Sequence, residues 1–308
     1  MGINEVNTEI TLNGITFKNP VIPASGTFNF GREMAQLYDL SILGGIVSKG
    51  LTAEPRKGNP PPRIAEVSSG MLNSVGLQNP GIDHFISHDH DFFTTRGCIS
   101  IVNIAGSSED DYFDCVRKLD GTDCDIIELN LSCPNVREGC MIFGSDPAAI
   151  RSVVSKVRKL TTKPLWVKLT PNTGDIVSCA KAAESGGADA ISLINTLLAL
   201  AVDIQSRRPV IRNNYAGLSG PAIKPLALRM VNQVYTNVSI PVIGIGGIEN
   251  AGDVLEFMIS GASVVQVGTA NIRDPYACFK IIEALPDTML KYGIKDLQQI
   301  IGTLELWG

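Results

Sequence analysis

Two kinds of residue break otherwise apolar stretches of this chain, and both could carry chemistry. The first is a thiol. Ile126-Ile127-Glu128-Leu129-Asn130-Leu131-Ser132-Cys133-Pro134-Asn135 runs from an apolar segment into a tight polar turn, with Cys133 between the carboxamides of Asn130 and Asn135. Pro134 cannot donate to a sheet ladder and biases Cys133 towards extended backbone, so the stretch reads as a buried strand ending in a loop. Taken alone, such a cysteine is most simply a small apolar filler. The second kind is lysine: Lys49 in Val47-Ser48-Lys49-Gly50 and Lys168 in Trp166-Val167-Lys168-Leu169. A lysine is rarely placed inside an apolar strand without an anionic partner, which outweighs the alternative of a side chain snorkelling from a rim.

These residues need a frame that brings them together, and the apolar periodicity supplies one. Candidate strands fall at 21–24, 45–48, 99–103, 126–129, 165–169, 190–194, 242–245 and 264–267, with helical periodicity at 147–160, 175–185, 224–236 and 250–260. Ser145 or Asp146 ahead of Pro147, and Asn250 ahead of Ala251, are helix starts; Gly186-Gly187 and Gly261 are helix stops. Eight strands alternating with helices predict one α/β domain, a (β/α)8 TIM barrel over residues 1–308. An open doubly wound sheet is the structural rival. Thr8–Phe17, with Asn13-Gly14 at its centre, reads as an N-terminal β-hairpin. The Pro- and Gly-rich residues 51–81 and residues 197–220 read as long βα loops over the C-terminal mouth, and loops of that length are usually functional.

In a barrel the C-terminal strand ends converge. Read in order they are Ser25; Lys49; Asn103; Asn130 with Cys133; Lys168; Asn195-Thr196; Gly246-Gly247; and Gly268-Thr269. One polar tip is ordinary turn chemistry, but eight around one mouth predict a site. The glycines after strands seven and eight suit a phosphate bound on bare backbone N–H groups. The amides and the two lysines suit a ligand rich in carbonyls and ring N–H groups.

Composition narrows the classes. The 308 residues are 44% hydrophobic and 19% charged, enough for a large core, and the net charge of -5 without a basic run argues against nucleic acid. The apolar stretch 190–202 is interrupted by Ser192, Asn195 and Thr196 and is too short for a bilayer, so no membrane association is expected. The seven cysteines, at positions 98, 115, 124, 133, 140, 179 and 278, include no Cys-x-x-Cys pair, so no metal or cluster site is expected. Free thiols without a signal peptide point to the cytoplasm. His84, His88 and His90, mixed with Asp89 and Asp91, read as a solvated face rather than a metal site.

Three motifs together resemble one family. Asn130-Leu131-Ser132-Cys133-Pro134-Asn135-Val136, Leu72-Asn73-Ser74-Val75-Gly76-Leu77-Gln78-Asn79-Pro80-Gly81 and Gly244-Ile245-Gly246-Gly247-Ile248 are similar to dihydroorotate dehydrogenases, FMN-containing (β/α)8 barrels of pyrimidine synthesis. Ser48-Lys49-Gly50 and Glu54-Pro55-Arg56-Lys57-Gly58-Asn59-Pro60 extend the likeness along the chain. The resemblance implies that Cys133 is the base for the C5 proton of dihydroorotate, while the C6 hydride goes to flavin N5. It implies that Lys49, Asn73, Asn130, Asn135, Asn195 and Thr196 hold the substrate. It implies further that Ser25, Lys49, Gly50, Asn103, Asn130, Lys168 and Ile194 line the flavin, with Gly220, Gly246, Gly247, Gly268 and Thr269 around its phosphate.

The subtype is also an expectation. The family's membrane-associated class has an N-terminal helix and a serine base, and neither is found here. Val136-Arg137-Glu138-Gly139-Cys140-Met141-Ile142-Phe143-Gly144 resembles the NAD-linked (class 1B) type, with Cys140 where a second glycine is usual. That type works with a separate subunit carrying FAD and a [2Fe–2S] cluster. The expected assembly is therefore a heterotetramer of two plus two, built on a homodimer of this chain. Runner-up readings are the fumarate-linked class 1A enzyme and a dihydropyrimidine dehydrogenase-like barrel. A tRNA dihydrouridine synthase is disfavoured by the acidic balance. A non-enzymatic phosphate-binding barrel would carry no yellow chromophore.

Overall fold

The computed structural model describes residues 6–131 and 144–307. Cys133, Asn135 and Cys140, which the sequence singles out, lie outside the described residues.

Eight parallel strands form the centre: β1 (Val21–Pro23), β2 (Gly45–Val47), β3 (Ile99–Ile104), β4 (Ile126–Asn130), β5 (Leu165–Lys168), β6 (Ala190–Leu193), β7 (Val242–Ile245) and β8 (Ala262–Val267). Their hydrogen-bonded order is β1-β8-β7-β6-β5-β4-β3-β2, which is chain order read around a ring. The seam between β1 and β2 closes through Gly44, whose N–H donates to Val21 O at 3.1 Å. A Cβ on Gly44 would overlap the backbone carbonyl of Asn19, so only glycine permits that approach. Every strand residue except Ile99 is buried, as expected when a barrel interior and a jacket of helices cover both faces. An open sheet would reverse its strand order at a switch point, and none occurs here.

The helices begin and end where their capping residues dictate. Pro147–Arg158 is capped by Asp146 rather than Ser145; the Asp146 carboxylate accepts from Ala148 N at 3.0 Å. Ala251–Ile259 carries a reciprocal capping box between Asn250 and Asp253. Gly187 ends Ile176–Gly186 in the left-handed conformation, with φ 100°. Replacing Asn250 with Ala should lower stability by about 1 kcal/mol, the usual worth of an N-cap, as read by a denaturant melt with unchanged slope.

The hairpin is as the Asn-Gly pair predicts. Ile10–Leu12 pairs with Ile15–Phe17, and Asn13 (φ 52°) and Gly14 (φ 76°) supply the two positive φ angles of a type I′ turn. Phe17 stacks on Trp166 with ring centroids 6.2 Å apart, and Asn13 Nδ2 donates to Asp189 O at 2.8 Å. Both contacts lie where β5 and β6 begin. The hairpin therefore plugs the N-terminal end of the barrel and leaves the other end to the site.

Residues 51–81 and 197–220 are not the plain loops that their composition suggests. They contribute Ile64–Val67 and Gly70–Asn73, and Leu197–Ala199 and Ala216–Ser219, to one four-stranded antiparallel sheet. Asn73 faces Gly217 across 144 residues of sequence. Each insertion supplies one short antiparallel pair of its own, and the ladder between Gly70–Asn73 and Ala216–Ser219 joins the two pairs into one sheet, a pairing that no local pattern reveals. The histidine run also needs correcting. His84 and His88 are exposed, but His90 is buried at 8% exposure beneath Phe85. Among the described residues no three His, Cys, Asp or Glu are grouped to hold a metal, and no helix is long and apolar enough to cross a membrane.

Candidate active site

The tip of β4 anchors a belt of amides. Tyr112 Oη donates to the backbone carbonyl of Asn130 at 2.8 Å, and Asn195 Nδ2 approaches Asn130 Oδ1 at 3.4 Å. Asn195 Oδ1 in turn accepts from Thr196 N at 2.7 Å, and Thr196 O accepts from Asn172 Nδ2 at 3.0 Å. The antiparallel sheet lies directly over this belt. Gly217 passes so close to Thr196 that a Cβ there would overlap its hydroxyl, and Gly217 O accepts from Asn73 Nδ2 at 3.4 Å. The fold thus brings Asn73, Asn130, Asn195 and Thr196, from four separate segments, into one cluster.

Beneath the belt is a charged and polar layer inside the barrel. Lys168 is 5% exposed and lies across the ladder from Asn130 on one side and Ser192 on the other. Among the described residues its ammonium has no ion-pair partner within 4.0 Å. Burial pushes it well below the ordinary lysine range, and the nearby Glu128 carboxylate partly offsets that. Glu128 is fully buried and accepts from Asn103 Nδ2 (2.6 Å), Ser192 Oγ (2.7 Å) and Gln266 Nε2 (2.8 Å). Asn103 Oδ1 is left without a hydrogen-bond partner among the described residues. Gly50 faces it, and a Cβ there would sit 3.0 Å from that oxygen. A buried acceptor with no donor, under bare backbone, is what a ligand N–H would satisfy.

Lys49 stands across the mouth, half-buried. Its ammonium is also held below the usual range, first by burial and then by repulsion from Arg63, against a weaker pull from Glu33. Two cations facing the same opening suit an anionic ligand. A lysine disfavoured in its charged form makes the fold more stable as pH rises from its folded pKa towards the unfolded value, because the unfolded chain binds more protons. Lys168→Met should therefore flatten part of the alkaline rise in stability of the ligand-free protein, followed as Tm between about pH 7 and 10. An unchanged slope would mean that Lys168 does not titrate in that window.

The glycine tips meet at the third side of the mouth. Gly220, Gly246 and Gly247 have φ of 98°, 135° and 73°, all in the region where side chains are strained. A Cβ on Gly247 would lie 2.8 Å from Gly220 O, so these two backbones touch. Thr269 Oγ1 donates to Ser219 Oγ at 2.8 Å and ties the segment before Gly220 to the end of β8. Gly268 lies beside Ala24, the last residue before Ser25, with space for a further group. The two βα turns and the segment at 219–220 thus form a cradle of backbone suited to phosphate.

Of the residues picked out by sequence, the described ones all lie at this end of the barrel. Ser25 sits half-buried after β1, and Ile194 is a buried apolar wall at 2% exposure after β6. Sequence reasoning missed Glu128, Ser192 and Gln266, although each also breaks an apolar strand; the rule that exposed the lysines would have found them. It missed Arg63 as well, which nothing local marks. The thiols can be sorted too. Burial pushes Cys98, Cys115 and Cys278 up to about 12 and also raises Cys124 and Cys179, so none of these five offers a thiolate near neutral pH.

The family model "Dihydroorotate dehydrogenase" matches residues 7–289. Among similar proteins, the "Dihydroorotate dehydrogenase B (NAD(+)), catalytic subunit" of Alkaliphilus metalliredigens is 53% identical over 302 residues, covering 98% of this chain and 100% of its own. The protein of the same name from Thermoanaerobacter pseudethanolicus is 51% identical over 301 residues, covering 98% and 100%. That from Listeria monocytogenes serotype 4a is 48% identical over 299 residues, covering 97% and 98%. A barrel with a cationic, amide-lined mouth and a match of this length lead to one conclusion: the chain belongs to the dihydroorotate dehydrogenase family.

Proposed function

We propose that this chain oxidises (S)-dihydroorotate to orotate in pyrimidine biosynthesis, with FMN in the barrel mouth, as the catalytic subunit of an NAD-linked enzyme. The observation that carries the FMN reading is a pair of unmatched groups deep in the site. Lys168 is buried with no ion-pair partner, and Asn103 Oδ1 is buried with no hydrogen-bond donor, among the described residues. A planar ligand offering a carbonyl edge and N–H groups completes both, and the cradle at Gly220, Gly246, Gly247, Gly268 and Thr269 fits its phosphate. Ser25, Gly50 and Ile194 would line the rings.

When bound, FMN supplies the hydride acceptor. The chain's own residues do the remaining work. Asn73, Asn130, Asn135, Asn195 and Thr196 would hold the pyrimidine amides, and Lys49 with its neighbour Arg63 would draw in the carboxylate. Cys133, three residues after Asn130, would take the C5 proton as general base. Lys168 would stabilise negative charge on the reduced cofactor. Electrons would leave through a separate subunit carrying FAD and [2Fe–2S], in a two-plus-two assembly; the words "catalytic subunit" in the relatives' name support a separate partner.

One spectrum tests the reading. The purified protein should be yellow, and dihydroorotate added without oxygen should bleach the flavin band. A colourless protein that takes up no added FMN would end the proposal. A second test concerns the cradle: Gly247→Val should release FMN on gel filtration, because its Cβ would meet Gly220 O. Full retention would place the phosphate elsewhere.

A further inference from the structure

The proposed chemistry gives no task to the acid buried at the centre of the barrel. Glu128 is fully enclosed in the barrel, and its carboxylate collects three hydrogen bonds, all from neutral side chains on three other strands. A carboxylate in such a place is costly unless the structure uses its charge or its geometry. Both uses are visible. By register, Glu128 lies beside Asn103 on β3, and Lys168 lies beside Ser192 on β6. Ser192 therefore bridges the acid to the strand next to the lysine. The amide of Asn103 can donate to Glu128 only through Nδ2, which leaves Oδ1 as its other atom, under Gly50 and unpaired among the described residues.

We propose that Glu128 is the positioning residue of this site: it turns the Asn103 amide so that Oδ1 meets the ligand, and it supplies the counter-charge to Lys168 without closing an ion pair. An ion pair would occupy the ammonium that the ligand needs. A carboxylate held one step away, saturated by neutral donors, steadies the cation and leaves it open. Burial works against the Lys168 charge, and among the described residues Glu128 is the one charged group that acts on it from the surrounding strands. The neighbours from the elements packed against the acid, Asn103, Ser192 and Gln266, do not ionise.

The inference rests on the FMN reading for its ligand but not for its first test. In ligand-free protein with 13C-labelled lysine, the Lys168 signal, assigned by its loss in Lys168→Arg, should titrate at lower pH in Glu128→Gln than in the wild type. Identical titrations would overturn the counter-charge. The second test uses FMN. Glu128→Gln should bind FMN less tightly, and the deficit should widen by roughly tenfold for each unit that Lys168 titrates earlier, as pH is raised from about 6.5 to 9. A purely structural role would weaken binding equally at every pH, and that result would also overturn the proposal. Because Glu128→Gln sets an amide N–H against the donors Ser192 Oγ and Gln266 Nε2, Glu128→Gln/Gln266→Glu provides rescue. It returns a carboxylate to the same cluster, since the two side chains are 2.8 Å apart. The double variant should recover the wild-type lysine titration, and failure to do so in a folded protein would count against the charge argument. If the wild type itself takes up no FMN, the functional reading falls while the lysine titration still decides the role of Glu128.

Discussion

Replacing Cys133 with alanine is expected to slow reduction of bound FMN by dihydroorotate by roughly two to four orders of magnitude, the usual contribution of a positioned general base. Yellow colour and substrate affinity should survive, since the cradle comes from other segments and the amide belt also draws on Asn73, Asn195 and Thr196. The measurement is single-turnover bleaching of the flavin, which isolates proton and hydride removal from the later electron transfer. The wild-type rate should rise with pH as the thiol ionises. A free cysteine has a pKa of about 8.5, so only a minor fraction is thiolate at neutral pH. The alanine variant should lose that slope. No described cysteine can stand in, because burial raises all five. Cys140→Ala is the control for the one remaining thiol in the same segment, and it should keep the wild-type profile. A flat wild-type profile, or a large loss in Cys140→Ala with Cys133→Ala intact, would move the base.

The second large effect concerns the cation. Lys168→Ala is expected to weaken FMN binding by about 1.5–3 kcal/mol, or roughly ten- to a hundredfold, the range for a hydrogen bond to a charged group. The same change should lower the midpoint potential of the cofactor that remains, because a fixed positive charge favours the reduced, more negative form. Two features of the site set the size of the effect. Lys168 is 5% exposed, so water screens it little, and it has no competing ion pair among the described residues. Raising pH on the wild type should mimic the substitution at a lower pH than for a free lysine, since burial already disfavours the charge. Equilibrium dialysis and a dye-linked reductive titration read the two quantities separately. If neither changes, Lys168 is not on the cofactor.

These expectations draw on the two levels of description unequally. Local sequence determined the eight barrel strands, the bounds of four helices to within a couple of residues, and the polar tip of each strand, while Glu109–Asp120 and Ala277–Lys291 were left unbounded. It could do so because burial on both faces leaves a nearly unbroken apolar run, and a charged or amide residue at its end is conspicuous. The Asn13-Gly14 turn and the Asn250 cap were legible for a similar reason, and the cap ahead of Pro147 to within one residue, Ser145 or Asp146: each satisfies backbone geometry within a few residues.

What only the tertiary structure decided depends on partners far apart in the chain. The four-stranded sheet over the mouth joins residues 144 positions apart, and no periodicity in either half predicts the other. Lys49 and Arg63 reveal their mutual repulsion only once the insertion folds back across the barrel. Glu128 could be noticed in sequence as an acid within an apolar strand. Its three donors come from strands 25, 64 and 138 residues away, and only barrel closure makes a single group of them. Residue type says what a side chain can do, while closure of the ring sets what each one faces.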